Sequence, residues 1–362
     1  MATLVKTAFF PLWSLCILLL AWLLLAGHAA FGFHGLALIA LVLALGGTVF
    51  SAVHYAEVVA HKVGEPLGGL VLAVSVTIIE AAMIVSMLLT GGDQMLAVAR
   101  DTIFSVVMIV CSGLVGLCIA VGAWKHHVQG FNVKGSTGAL SVITAMVVLT
   151  MILPVFTSSP EDAFRPAQLI FVGLASLVLY VAFVLVQTIR HRDYFLPEDD
   201  DGETTHSAPP TLTQTLGALG LLILGLVAVV LLAKSLSPTV EKLVALAGMP
   251  QPVVGLVIAI FVLLPEAVAA TRAARQNKLQ SSLNLAYGSV IASIGLTIPV
   301  VALLSILMDK TLILGLDAKD IVLLTLTTLL NMIIVQTGRT NILQSSILLV
   351  VFASFLFFSI VP

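Results

Sequence analysis

Charged residues are scarce in this chain. Of its 362 residues only 9% are Asp, Glu, Lys or Arg, whereas soluble domains carry roughly 25%. Hydrophobic residues make up 60%, and the mean hydropathy is +1.17. This composition excludes an ordinary soluble domain and indicates a polytopic membrane protein with the lipid bilayer around it.

Signatures of several other protein classes are also missing. The cysteines Cys16, Cys111 and Cys118 lie in apolar segments without a CxxC spacing, so we expect small buried side chains and no disulfide or metal site. The net charge of -2 and the lack of basic clusters with interleaved aromatics exclude nucleic acid as a partner. Because there is no HExxH motif and no aspartate-rich pair in an apolar segment, an intramembrane enzyme is disfavoured. We expect no cofactor.

Long apolar segments fill most of the chain. A spanning helix needs about 20 mostly apolar residues, and windows of that length predict an all-α protein with eleven transmembrane helices. The fourth is predicted at Thr102–Gly122 and the seventh at Leu212–Ala233. The one long polar stretch, residues 191–211, contains an acidic run at 198–203. We interpret it as a solvated linker, with a role in concentrating or regulating cations as the alternative.

This polar stretch divides the chain into parts. We predict an N-terminal transmembrane helix (1–34), a first five-helix repeat (35–190), the acidic loop (191–211) and a second five-helix repeat (212–362). Five crossings per half force the second repeat to be inverted. Of the 16 basic residues, ten fall on one side and six on the other, so the positive-inside rule places the N-terminus in the cytoplasm and the C-terminus outside.

Two glutamates lie inside apolar segments that resemble each other. Pro66–Ala81 and Pro252–Ala267 share eight of sixteen residues at a constant offset of 186, including Glu80 and Glu266. Each glutamate follows its proline by 14 residues, about 21 Å along a helix, so both fall near the middle of a ~30 Å core. Because an ionised carboxylate costs several kcal/mol in hydrocarbon, this repetition predicts an ion site.

The chemistry of two carboxylates in low dielectric favours exchange. Both cannot ionise comfortably unless a cation lies between them, so protons and metal ions compete for the pair. A hard cation such as Ca²⁺ would take carboxylates, hydroxyls and backbone carbonyls as ligands. Pro265 lacks an amide donor and should free the carbonyl of Phe261, whereas the Thr77 hydroxyl is the nearest counterpart before Glu80.

Further polar residues are candidates for the same site. Ser105 and Ser289 follow the two glutamates at 25 and 23 residues, each before a valine, and Ser293 ranks below them; small packing residues are the alternative interpretation. Asp101 and Glu57 are possible accessory groups, with a place at the membrane boundary as the alternative. We expect two further polar side chains to hydrogen-bond inside the bundle, namely Asn331 and Gln336.

These residues resemble a known family. The chain is similar to the cation/Ca²⁺ exchanger superfamily, and within it to the bacterial Cha-type Ca²⁺(Na⁺,K⁺)/H⁺ antiporters. The similarity lies in HYAEVVAHKVGEPLGGLVLAVSVTIIEA, in GGDQMLAVARDTIFSVVMIV, in LLPEAVAATRAARQNKLQSSLNLAYGSVIASIGLTIPVV, in the acidic central loop and in TGRTN.

The resemblance implies ten core helices in two inverted halves after a first helix. It also implies one acid per repeat as ion and proton carrier, by position Glu80 and Glu266, and a bacterial inner-membrane location. Many superfamily members have GNxxE before the acid, but Val76 and Thr77, and Val262 and Leu263, occupy those positions here. Two ligating amides are therefore absent, and the preferred ion among Ca²⁺, Na⁺ and K⁺ stays open.

The function that the sequence predicts is secondary active antiport of Ca²⁺, Na⁺ or K⁺ against H⁺ by alternating exposure of the two-glutamate site. A passive cation channel is the alternative, because channels also use acidic rings but need no inverted repeats. The stoichiometry and any homo-oligomeric assembly stay open.

Overall fold

The part of the chain that the structure describes folds almost entirely into helices. The computed structural model describes residues 10–32, 36–63, 74, 75, 77–85, 97–157, 163–196, 210–309 and 311–361. Within these ranges, ten helices are long and apolar enough to cross a membrane, and residues 77–85 form the described part of an eleventh helix. The prediction of an all-α polytopic membrane protein is confirmed. The helices are α1 (Leu12–Phe31), α2 (Leu36–Val63), α3 (77–85), α4 (Val98–His126), α5 (Val133–Phe156), α6 (Pro166–Arg190), α7 (Leu212–Leu246), α8 (Pro252–Arg275), α9 (Leu279–Leu307), α10 (Ala318–Gln336) and α11 (Ile342–Ile360).

Several helices extend past the apolar segments that predict them. Helix α4 begins at Val98 and ends at His126, beyond both predicted ends, and α7 continues through Lys234 and Pro238 to Leu246. A hydropathy window ends where polar side chains begin, but helical backbone hydrogen bonds do not depend on that change. Helix α4 also contains a π-helical segment, Ile109–Leu114, which the sequence analysis did not foresee.

The polar connection after α6 is only partly outside the described residues. Its first residues form a short 3₁₀ turn at Arg192–Tyr194. The Phe195 ring packs edge-on against Phe183, and the Phe195 carbonyl accepts a hydrogen bond from the Asn284 amide. The acidic run at 198–203 lies outside the described residues. The predicted linker therefore begins with an ordered anchor.

The helices group into two compact units, and both units draw on both halves of the sequence. The first unit comprises Met1–Ser86 and Thr204–Leu243, and the second comprises Met87–Glu203 and Val244–Pro362. In the first unit α1 packs on α2, where the Ser14 and Tyr55 hydroxyls are 2.8 Å apart and the Ser51 hydroxyl donates to the Ser14 carbonyl.

Loop pairings within the second unit show that α5 and α10, which correspond in the two predicted repeats, are antiparallel. Two short strands, β1 (Gln129–Gly130) before α5 and β2 (Arg339–Thr340) after α10, pair in antiparallel fashion. At the other ends of these helices, Ala163 after α5 forms an isolated bridge with Ile313 before α10. The start of α5 thus pairs with the end of α10, and its end with the start of α10. These corresponding helices of the two halves run in opposite directions.

Close helix contacts in the second unit obey the same symmetry. Helix α4 packs on α11 through Gly113 and Gly116, where an added Cβ would lie 3.1 Å from the Phe352 ring and from Leu348. The corresponding pair is α9 and α6, where Gly295 leaves room for Tyr180. Small residues let helix backbones approach closely in membranes, which explains glycine in both contacts.

Candidate functional site

Glu266 lies in the interior of the second unit. It is 6% exposed, on α8, which continues as one helix through Pro265. Proline cannot donate the helical hydrogen bond to the Phe261 carbonyl, so that carbonyl lacks its usual partner within the helix. The Phe261 carbonyl is therefore the backbone acceptor that the sequence predicted, and α8 is not broken there. Helix α8 contacts both α4 and α9, and these also contact each other.

A single glycine sets the spacing between α8 and α4. A Cβ on Gly255 would lie 2.9 Å from the Thr102 amide nitrogen and 3.0 Å from the Asp101 carbonyl carbon. The first distance is shorter than Cβ atoms in proteins adopt and the second is unusually tight, and both are to backbone atoms. Any side chain at this position would therefore separate the helix that carries Glu266 from the helix that carries Ser105.

The facing helices supply hydroxyl groups. Ser105 on α4 and Ser293 on α9 are 3% and 1% exposed, and Ser289 is half-buried one turn before Ser293. One turn beyond Ser293, the buried Thr297 hydroxyl has no hydrogen-bond partner among the described residues, and neither has that of Thr102 on α4. Neither threonine was among the residues predicted from the sequence, although Ser289, Ser293 and Thr297 follow the i, i+4, i+8 spacing of one helix face.

Asp101 is buried but already paired with a cation. Its carboxylate lies 2.8 Å from the Arg100 Nε, and Arg100 also donates through Nη1 to the Gly315 carbonyl at 2.8 Å. This pair attaches the start of α4 to the connection between α9 and α10. The arrangement explains Asp101 as a structural residue, and its accessory role in ion binding stays a prediction.

Glu80 lies in the first unit, on α3. It is 3% exposed, and Thr77, one turn earlier, is 4% exposed. The proline and glycines that precede them at 66–69 lie outside the described residues. Glu57 is exposed near the end of α2, as expected for a group at the membrane boundary. Both predicted carriers, Glu80 and Glu266, are thus buried within their own units.

A buried hydrogen-bond network joins three helices beside the π segment of α4. The Tyr287 hydroxyl on α9 donates to the Asn331 Oδ1 on α10 at 3.0 Å. The Asn331 amide donates to the Cys111 carbonyl at 2.9 Å and to the Thr327 carbonyl at 2.8 Å. The prediction for Asn331 is confirmed, whereas Gln336 is exposed and its prediction is wrong. Tyr287 had no sequence signal because its acceptor is 44 residues away.

Replacing Asn331 by leucine should destabilise the protein by about 1–2 kcal/mol, because the buried Tyr287 hydroxyl and Cys111 carbonyl lose their partner. Equilibrium unfolding in mixed micelles measures this loss. A double-mutant cycle with Tyr287→Phe should give effects that are clearly less than additive. Fully additive losses would show that the hydrogen bond between these side chains contributes nothing.

The second unit thus offers one buried carboxylate with serine and threonine hydroxyls on the two helices packed against its own. Oxygen ligands of this kind suit a hard cation, and the carboxylate can also hold a proton. A helical membrane protein with inverted halves and a buried carboxylate in each half has the architecture of an ion-exchanging secondary transporter.

Comparison with known families agrees with this architecture. The chain belongs to the sodium/calcium exchanger family, whose model, described as "Sodium/calcium exchanger protein", matches residues 29–189 and 217–361. The family is one of exchangers.

Individual relatives cover nearly the whole chain. It is 42% identical to "Putative ionic transporter y4hA" of Sinorhizobium fredii, over 99% of this chain and 98% of that protein. It is 34% identical to "Sodium-potassium/proton antiporter ChaA" of Escherichia coli, over 85% of this chain and 84% of that protein. The crystal structure of the H⁺/Ca²⁺ exchanger CAX has the same fold, with a TM-score of 0.72 at 16% identity, over 95% and 87% of the two chains.

Proposed function

We propose that this protein is a secondary active antiporter that exports Ca²⁺, Na⁺ or K⁺ in exchange for H⁺. Glu80 and Glu266 are the carriers of both cation and proton. The observation that carries the proposal is the burial of both carboxylates, at 3% and 6% exposure, at matching positions of two inverted repeats. A buried carboxylate is costly when its charge is not compensated, so it favours either a bound cation, which balances the charge, or a proton, which removes it.

The relatives support the coupling to protons. ChaA of Escherichia coli is named a sodium-potassium/proton antiporter, and a Bacillus subtilis relative that is 22% identical is named a Ca²⁺/H⁺ antiporter. These names leave the cation open among the three ions. The hydroxyls of Thr77, Ser105, Ser289 and Ser293 are neutral oxygen ligands, which accept monovalent and divalent ions alike.

The mechanism is exchange by competition. When a carboxylate faces the side with more protons, protonation neutralises it and releases the cation; when it faces the other side, the proton leaves and a cation binds. The energy is adequate, since each charge that crosses the membrane gains about 2.3 kcal/mol per 100 mV and a proton gradient adds to this. Because the cation and the proton bind the same carboxylate in turn, the two ions never need to bind together.

This competition predicts a specific pH dependence. Raising the pH should lower the apparent KM for the cation by up to about tenfold per pH unit while one proton competes, and the maximal rate should change much less. Initial rates in proteoliposomes, measured at several pH values with Ca²⁺, Na⁺ and K⁺, test this and also identify the preferred ion. A KM that is independent of pH for all three ions would rule out a site at which the cation and the proton compete.

A passive channel is the competing function. Radioactive cation uptake into everted vesicles under an imposed pH gradient separates the two. Antiport requires accumulation against the cation gradient that collapses when a protonophore is added. Flux that only follows the cation gradient would favour the channel, and no exchange in a sealed, active preparation rejects antiport.

We propose that the protein lies in the bacterial inner membrane as a multi-pass protein, with its N-terminus in the cytoplasm and its C-terminus on the outer side. The excess of basic residues on one side supports this orientation. Cysteine labelling from each side of intact cells and inverted vesicles tests it.

A further inference from the structure

A groove on the surface of the second unit combines an apolar floor with two arginines. It lies between α4 and α8, has a volume of about 370 Å³ and is shallow and largely open to its surroundings. Its lining includes Leu117 of α4 and, from α8, Leu264, Val268, Thr271, Arg272 and Arg275. Leu117 and Val268 are 43% and 44% exposed, so the groove opens on the outer surface of a membrane-spanning helix pair.

Along α8, the apolar residues that line the groove come first and the arginines follow. Leu264 and Val268 form the apolar part, and Arg272 and Arg275 follow on the same stripe in the last turn of the helix. The Thr271 hydroxyl donates to the Ala267 carbonyl of its own helix. The floor therefore presents hydrocarbon almost throughout, and the exposed Arg272 and Arg275 lie at one end of it.

The end of α4 adds positive charge at the same place. The Lys125 ammonium donates to the Arg275 carbonyl at 3.2 Å, and the His126 Nε2 lies 3.1 Å from the same oxygen. In the part of the chain that the structure describes, neither Arg272 nor Arg275 forms a salt bridge. Both are exposed, so their guanidinium groups are accessible to an anion.

We propose that this groove binds an anionic phospholipid, such as phosphatidylglycerol or cardiolipin. Arg272 and Arg275 hold the phosphate, and an acyl chain lies along Leu117, Leu264 and Val268. The arginines fall in the last turn of a candidate spanning helix, where a lipid phosphate is at the same depth, and basic sites between transmembrane helices are suited to such head groups. This site goes beyond the proposed transport function and does not depend on it.

Native mass spectrometry of the purified full-length protein, titrated with phosphatidylglycerol, cardiolipin or phosphatidylethanolamine, tests the proposal. We expect the unmodified protein to retain the anionic lipids in preference to phosphatidylethanolamine. The double variant Arg272→Gln/Arg275→Gln should bind the anionic lipids at least about tenfold more weakly. Arg339→Gln, a change of an exposed arginine on β2, is the matched control and should bind as the unmodified protein does.

A second variant tests the acyl-chain half of the site. Val268→Trp should obstruct the groove, weaken lipid retention and leave both arginines in place. Because arginines at a helix C-terminus also favour the helix dipole, thermal unfolding is measured in parallel to confirm that each variant is folded. Competition by inorganic phosphate alone would overturn the lipid assignment in favour of a simple anion site. Equal retention of the three lipids, or unchanged retention by the folded double variant, would overturn the proposal.

Discussion

Replacing Glu266 by glutamine should reduce proton-coupled cation exchange to the level of liposomes without protein. Glutamine has nearly the same shape and keeps hydrogen-bonding capacity, but it can neither release a proton nor offer a negative charge to a cation. Glu266 is buried, and neither the glutamine amide nor a water molecule in its place supplies a negative charge that titrates. The same result is expected for Glu80→Gln, whose carboxylate is the counterpart in the other repeat.

The measurement is cation uptake into proteoliposomes under an imposed pH gradient, with equal amounts of each variant inserted. Asp193→Asn is a suitable control, because this exposed carboxylate lies on the short turn after α6, outside the candidate site. It should exchange at the rate of the unmodified protein. Normal exchange by either glutamine variant, in correctly inserted protein, would refute the assignment of that glutamate as a carrier.

Replacing Gly255 by leucine should both destabilise the protein and impair exchange. The added side chain meets the backbone of α4 at Asp101 and Thr102, which cannot move aside as a flexible side chain can. Overpacking of this kind costs about 1–3 kcal/mol. The forced separation also changes the distance between α8, which carries Glu266, and the hydroxyls of α4, so we expect exchange to fall by more than about tenfold.

Gly138→Leu is the matched control. Gly138 is exposed on α5, and a Cβ there meets no other atom within 4 Å. Replacing a helical glycine at such a position should leave stability unchanged or raise it by up to about 1 kcal/mol. Unfolding in mixed micelles and transport in proteoliposomes are measured for both. If Gly255→Leu matched the control in both assays, the close contact between α4 and α8 would not determine the site.

The sequence predicted the parts of this protein that depend on hydrophobicity and internal repetition. Burial of Glu80 and Glu266 was predictable because an ionised carboxylate is too costly to face lipid, and the shared pattern around them predicted their equivalence. The inversion was predicted by counting crossings, and the pairing of β1 with β2 and of Ala163 with Ile313 shows it for α5 and α10.

Features that depend on tertiary contacts were not predictable in this way. The closeness of Gly255 to α4 is a property of two helices, and the π segment at Ile109–Leu114 has no signature in residue type. The interpretation of Asp101 changed because Arg100, its neighbour in sequence, proved to be its partner in space. The predicted hydrogen bond of Gln336 inside the bundle was wrong because the polarity of a residue does not show which face of α10 is buried.

The most direct test of the account is proton movement driven by a cation gradient alone. Proteoliposomes are loaded with a pH-sensitive dye and placed in a cation gradient of Ca²⁺, Na⁺ or K⁺, with no initial pH difference and the membrane potential clamped. We predict that at least one of these cations drives protons in the opposite direction, and that the Glu80→Gln and Glu266→Gln variants show no such movement. Cation flux through the unmodified protein without any proton counterflow would contradict the account.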